Sequence, residues 1–193
     1  MADPRFDYAV ILAGMRTGSN LLEESLASFQ GVETCGELFN PHFFGKPKQD
    51  RQFGIDMAGR DADPVRVIEA MMHAGSALPV FRLFQDHDDR VLTQVLDDRR
   101  AAKIVLTRDP LSSWVSLKIA QRTGQWWLGQ GGQAKTAKVR FDANEFATFR
   151  DARQAFYTRV LGQLRRDGQS AFQLGYDDLF DADVIAGLGR YLG

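Results

Sequence analysis

The sequence predicts an α/β fold in which a mainly parallel central sheet is covered by helices on both faces. Two strand-length runs, Ala9-Val10-Ile11-Leu12 and Lys103-Ile104-Val105-Leu106-Thr107, each pass straight into a polar turn and then into a helical pattern. Pro79 to Phe84 is a third run of strand length, and helical stretches separate the strands along most of the chain. That alternation belongs to parallel sheets. Their ligands bind at the carboxyl ends of the strands, where both polar turns fall.

Taken in order, Tyr8 to Phe29 reads strand, small-residue turn, helix, with Leu21, Leu22, Leu26 and Phe29 on one helical face. Val32-Glu33-Thr34 is a short extended stretch leading into Cys35-Gly36-Glu37-Leu38-Phe39. Residues 40 to 63 carry Pro41, Pro47, three glycines and several charges without clear periodicity, which predicts a long loop. Pro64 starts a helix with Val65, Ile68 and Met72 on its buried side. Val91 to Leu96 is a short helix. Asp109-Pro110 caps and opens another that runs to about Arg122, with Leu111, Val115 and Ile119 at helical spacing. Gly124 to Arg140 fits a lid or surface loop. Asp142 and Glu145 resemble a capping box for a long helix that turns Phe146, Phe149, Phe156, Val160 and Leu164 inward and stops near Gly168. A last strand at Ala171 to Leu174 and a closing helix at Val184 to Leu192 complete the series.

The 193 residues suit one domain with a substantial core. A net charge of -1 gives no global basic field, so nucleic acid is not the expected partner and any anion site must be a local cluster. One cysteine, Cys35, leaves no internal disulfide framework and no multi-cysteine zinc site. The start, MADPRFDYAV, is no secretory signal, and no apolar run reaches membrane-spanning length. The expectation is a cytoplasmic globular protein without a membrane span.

Gly14-Met15-Arg16-Thr17-Gly18-Ser19-Asn20 is the first polar turn. A strand-turn-helix corner of this kind aims unpaired backbone N–H groups at an anion, with the positive end of the helix dipole behind them. Arg16, Thr17 and Ser19 add a fixed charge and two hydroxyl donors, which suits the 5′ phosphate or phosphosulfate of a nucleotide. A plain tight turn, with Gly18 relieving strain and Ser19 capping the helix, is the alternative. The turn is no Walker A loop. Gly14 and Gly18 enclose three residues instead of four, and Ser19-Asn20 stand where Lys-Ser/Thr belong.

At the second corner Arg108 ends a strand, and Ser116 follows eight residues later, about two helical turns on. The two can reach one phosphate from two directions, and the arginine fork suits bidentate contact with phosphate oxygens. Pairing of Arg108 with Asp109, with Ser116 on a solvated face, is the competing account.

Together the two corners resemble a known family. Arg16-Thr17-Gly18-Ser19-Asn20-Leu21-Leu22 resembles the 5′-phosphosulfate loop of sulfotransferases that use 3′-phosphoadenosine 5′-phosphosulfate (PAPS). Ile104 to Pro110, with Ser116, resembles their 3′-phosphate motif. Gly36-Glu37-Leu38-Phe39 and Gln121-Arg122-Thr123-Gly124-Gln125-Trp126 are similar to elements of the bacterial trehalose-sulfotransferase-like branch. Tyr176-Asp177-Asp178-Leu179 looks like an element near the adenine.

The resemblance implies a P-loop-NTPase-like three-layer fold, a single sulfotransferase domain over residues 1–193, and metal-free in-line transfer from PAPS to a hydroxyl of a carbohydrate-like or other small-molecule acceptor. The product would be 3′,5′-ADP. Arg16 would stabilise developing charge, with Thr17, Gly18, Ser19 and Asn20 gripping the 5′ end and Arg108, Ser116 and Tyr176 completing the nucleotide site. Glu37 falls where the family places its catalytic glutamate; partial burial is expected to raise its pKa. His42 is the second candidate base, while His73 and His87 are expected to be structural or solvated.

Arg82 either points into the site or forms an ion pair at the sheet edge. Trp126 and Trp127 either make an acceptor platform or anchor their loop. Many family members carry a further basic C-terminal segment; either such a tail lies outside these 193 residues, or the site is completed differently, from residues 124 to 140 with Lys135, Lys138 and Arg140. A P-loop phosphotransferase and a nucleotide-binding module without catalysis are the competing functions.

Overall fold

The computed structural model describes residues 5–127 and 132–193. A five-stranded sheet is built from β1 (Tyr8–Ala13), β2 (Val32–Gly36), β5 (Leu78–Phe84), β6 (Ala101–Thr107) and β7 (Phe172–Gly175). Its order is β2-β5-β1-β6-β7, and every pairing is parallel. The helices are α1 (Ser19–Ala27), α2 (Met57–Ala62), α3 (Pro64–Met72), α4 (Asp89–Asp97), α5 (Pro110–Thr123), α6 (Ala143–Arg166) and α7 (Ala182–Leu192).

Strand alternation divides the core into two layers. Tyr8, Val10 and Leu12 of β1 join Phe81, Leu83 and Val105 beneath α3, α4 and α6. Ala9, Ile11 and Ala13 join Val80, Ile104 and Leu106 beneath α1 and α7. All six residues of β1 are buried, as expected for a central strand covered on both faces. The expected α/β, P-loop-like three-layer fold is what forms.

Local departures have identifiable causes. The stretch 40–63 is not structureless: it holds a two-stranded ribbon, β3 (Arg51–Gln52) with β4 (Ile55–Asp56), and then α2. Asp56 caps α2 by accepting the Gly59 N–H at 2.8 Å, and Asp63 caps α3 in the same way through Arg66. Helix α3 buries Val67, Ile68 and Met71, whereas Val65 is exposed. Helix α5 buries Trp114 and Leu117 while Leu111 faces out. In both, the apolar stripe is rotated from the expected one.

Asp109 and Asp142 cap α5 and α6 as expected. Glu145 does not close a capping box; it pairs with Lys118 at 2.6 Å. Phe156, Val160 and Leu164 of α6 are buried, with Phe146 and Phe149 half-buried. No helix among the described residues is long and apolar enough to cross a membrane.

Candidate functional site

The turn after β1 is held from outside by its carbonyl groups. Thr17 Oγ1 donates to the Gly14 carbonyl at 2.8 Å, Arg153 Nη2 to the Met15 carbonyl at 2.5 Å, and Arg108 Nη1 to the Arg16 carbonyl at 3.2 Å. The Tyr157 hydroxyl accepts the Gly14 N–H at 3.1 Å and donates to the Leu106 carbonyl at 2.6 Å, which fastens the turn to the end of β6. A planar trans peptide points its N–H opposite its C=O, so holding successive carbonyls turns those N–H groups the other way.

Arg16 (φ 64°) and Gly18 (φ 94°) are left-handed, the kind of geometry that curls N–H groups into an anion-binding concavity. Among the described residues, no protein acceptor lies in hydrogen-bonding geometry with the N–H of Met15, Arg16, Ser19, Asn20 or Leu21. Ser19 is the first residue of α1, not its cap.

Gly18 is required by packing as well as by φ. A Cβ there would lie 2.7 Å from Tyr176 Cδ2 and 2.9 Å from Leu179 Cδ1. The Tyr176 ring therefore rests on the turn, and the Arg108 guanidinium lies 3.7 Å from its centroid. Arg16 reaches across to α5, where Nε donates to Ser116 Oγ at 3.1 Å, and to the next segment, where Nη1 donates to the Trp126 carbonyl at 2.5 Å. Arg16, Gly18, Arg108, Ser116 and Tyr176 thus meet at one place.

Burial, followed by the charge of Arg108, lowers the pKa of Arg16. Burial likewise lowers that of Arg153. Neither these two arginines nor Arg108 enters any ion pair among the described residues. Three guanidiniums around one turn, none of them ion-paired to a carboxylate, repel one another and favour an anion.

A second cluster lies on the other side of β1. The β2–β5 register shifts between Thr34 and Gly36, Gly36 makes the last pair with Phe81, and a bridge between Glu37 and Gly45 follows (Glu37 N–H to the Gly45 carbonyl, 2.8 Å). The chain after it wraps the buried Arg60, whose Nη1 donates to the carbonyls of Leu38, Asn40 and Phe43. Glu37 Oε1 lies 3.2 Å from Arg82 Nη1, and Oε2 accepts Asn40 Nδ2 at 2.7 Å.

Arg82 does form an ion pair at this site. It bridges Glu37 and Glu23 (2.9 Å) and also donates to Asn20 Oδ1. His87 is neither solvated nor remote: its side chain is 1% exposed, with Nε2 3.6 Å from Glu37 Oε2. Because His87 Nδ1 accepts the Phe84 N–H at 3.2 Å, the proton of a neutral ring sits on Nε2, facing Glu37. The 3.6 Å separation exceeds a normal hydrogen bond, so the contact is electrostatic.

These neighbours reverse one expectation. Burial alone pushes Glu37 up, but His87, Arg82 and Asn40 outweigh it and hold the carboxyl below its ordinary range. Glu23, where burial prevails over Arg82 and the Gly36 N–H, is raised.

Other candidates sit differently. Thr17 is fully buried and spends its hydroxyl proton on the turn, so it shapes the concavity; Asn20 faces Arg82. His42 is exposed, and its backbone N–H donates to Asn40 Oδ1. Trp126 and Trp127 are exposed, and Trp127 Nε1 donates to Glu24 at 3.2 Å. The Lys135 backbone N–H donates to Gln125 Oε1 at 2.7 Å, and Lys135, Lys138 and Arg140 enter no ion pair among the described residues. No group of three or more His, Cys, Asp or Glu side chains among the described residues is arranged to hold a metal.

Arg153, Tyr157, Glu23 and His87 were not anticipated. Arg153 had a visible signal, since it occupies the apolar stripe of α6 between Phe149 and Phe156.

No protein-family profile matches the chain. It is similar to Nodulation protein H from Rhizobium tropici, with 28% identity over 192 residues, covering 95% of this chain and 74% of the relative.

Proposed function

We propose that this chain is a PAPS-dependent sulfotransferase, a single domain that transfers a sulfuryl group to a hydroxyl of a carbohydrate or other small-molecule alcohol. Nodulation protein H is a sulfotransferase, and similarity at this level suggests sulfotransferase activity in general. The observation that supports the donor is the meeting of the two corners. Arg108 Nη1 holds the Arg16 carbonyl and Arg16 Nε holds Ser116 Oγ, so one doubly phosphorylated nucleotide can engage both. Three guanidiniums without carboxylate partners fit its anionic groups. Arg108 and Ser116 would take the 3′ phosphate, and the concavity before α1 the 5′ end.

PAPS supplies an activated sulfuryl group on its 5′ phosphate. In the reaction the bond between sulfur and the 5′-phosphate oxygen breaks as a bond from sulfur to the acceptor oxygen forms. The acceptor proton passes to Glu37. Arg16 and the N–H groups of the turn stabilise charge on the equatorial oxygens and the leaving phosphate without a metal. Glu37 remains ionised at neutral pH, held so by His87, Arg82 and Asn40. A carboxylate of low basicity suffices, because the acceptor proton becomes strongly acidic as its oxygen bonds to sulfur. Arg82 and Asn40 fix the orientation of Glu37.

Calorimetry with 3′,5′-ADP and with ATP plus magnesium tests the donor. Tighter binding of 3′,5′-ADP is expected, and preference for ATP with magnesium would overturn the proposal. Labelled PAPS offered with sugars and simple alcohols then identifies the acceptor.

A further inference from the structure

Arg153 lies on α6 directly behind the turn: its Nη2 donates to the Met15 carbonyl. It is 3% exposed, and its Nε and Nη1 are buried without a hydrogen-bond partner. A Cβ on Gly14 would lie 2.8 Å from its Nε, so the guanidinium rests against the turn's backbone, with the Phe149 ring 4.5 Å from its Cζ. A buried cation lacking a carboxylate and leaving two donors unpaired is costly to the free protein. Packing alone would favour an apolar side chain at this place in the stripe.

We propose that Arg153 is a positioning residue for the 5′ anion of the donor. Holding the Met15 carbonyl aims the Arg16 N–H of the same peptide into the concavity, and the unneutralised charge adds to the field there. The inference rests on the turn being the seat of the donor's 5′ end. Arg153 acts through the turn and is remote in role from Arg108, which serves the 3′ phosphate.

The test compares wild type, Arg153→Met and Arg153→Lys in chloride buffer. Thermal unfolding is followed without ligand and with inorganic pyrophosphate; affinities for 3′,5′-ADP and adenosine 3′-monophosphate are measured by calorimetry. Free Arg153→Met is expected to melt at or above the wild-type temperature. It should bind 3′,5′-ADP about tenfold more weakly or worse, the scale of one lost charge-assisted contact. Adenosine 3′-monophosphate should bind as in wild type, and protection by pyrophosphate should disappear. Arg153→Lys should recover part of the loss, since it restores the charge without the fork.

Failure of Arg153→Met to fold, a lowered melting temperature, equal weakening of both nucleotides, or no weakening of either overturns the inference. If wild type ignores 3′,5′-ADP but shows Arg153-dependent protection by pyrophosphate, the donor assignment fails and the role of Arg153 stands. If wild type binds neither probe, both fail.

Discussion

Replacing Arg108 by alanine separates the two ends of the proposed nucleotide. The side chain has three jobs: a hydrogen bond from its guanidinium to the Arg16 carbonyl at 3.2 Å, a stack on Tyr176 at 3.7 Å, and the contact assigned to the 3′ phosphate. The first two support the turn for any nucleotide, so losing them weakens 5′-AMP and 3′,5′-ADP alike. The third exists only for a 3′-phosphorylated ligand and, as a charge-assisted bond, is worth roughly 1.5–3 kcal/mol. Calorimetry at fixed ionic strength should therefore show 5′-AMP weakened modestly and 3′,5′-ADP weakened a further 10- to 150-fold or so, the same energy expressed as a ratio of affinities. Equal losses would mean that Arg108 only braces the turn, and the 3′-phosphate assignment would be wrong.

Glu37→Gln should leave 3′,5′-ADP binding intact while turnover falls about 10²–10⁴-fold, the range for a lost general base; unchanged turnover would move attention to His42. The pKa of Glu37 is depressed, so its stabilising contribution is present at neutral pH and is lost as pH falls through the folded value. The acid limb of its activity should accordingly lie below the ordinary glutamate range. Arg82→Met strands Glu23 and Glu37 in a buried site and should cost roughly 3–5 kcal/mol near neutrality. Without Arg82 both carboxyls titrate higher, so the gap in melting temperature from wild type should narrow between pH 8 and pH 5; a constant gap would refute the shared-charge account. Gly18→Ala forces a side chain into left-handed backbone 2.7 Å from the Tyr176 ring and should cost about 1–3 kcal/mol, with weaker 3′,5′-ADP binding. Melting equal to wild type would show that the ring is not held there.

What could be read in advance follows how local its cause is. The runs at 9–12, 79–84 and 103–107 are apolar because the strands are covered on both faces, and Asp109-Pro110 is a complete helix start within two residues. The rotated stripes of α3 and α5 had no local arbiter. Val65 and Val67, or Leu111 and Trp114, satisfy the same period, and only the neighbouring elements decide which is buried. Helix α2 is six residues long, too short for periodicity, and was betrayed only by its Asp56 cap. The nearness of Arg16, Arg108 and Ser116 was readable because strand ends and helix pitch fix where they fall. The surroundings of Glu37 were not, because Glu23, Arg82 and His87 come from three separate elements and meet only when β2 and β5 pair.

The strand order β5-β1-β6 sets Arg82 and Arg108 on opposite neighbours of a single strand. Adjacent strands are about 4.8 Å apart, which puts roughly 10 Å between the rails that carry them. Groups that far apart without shared partners change a protein's energies independently. Under the proposed function, new acceptors can then be accommodated by altering the β5 rail while the proposed grip on the nucleotide stays as it was, and the reverse holds too. The turn after β1, belonging to both rails, is the one stretch where neither kind of change is free of the other.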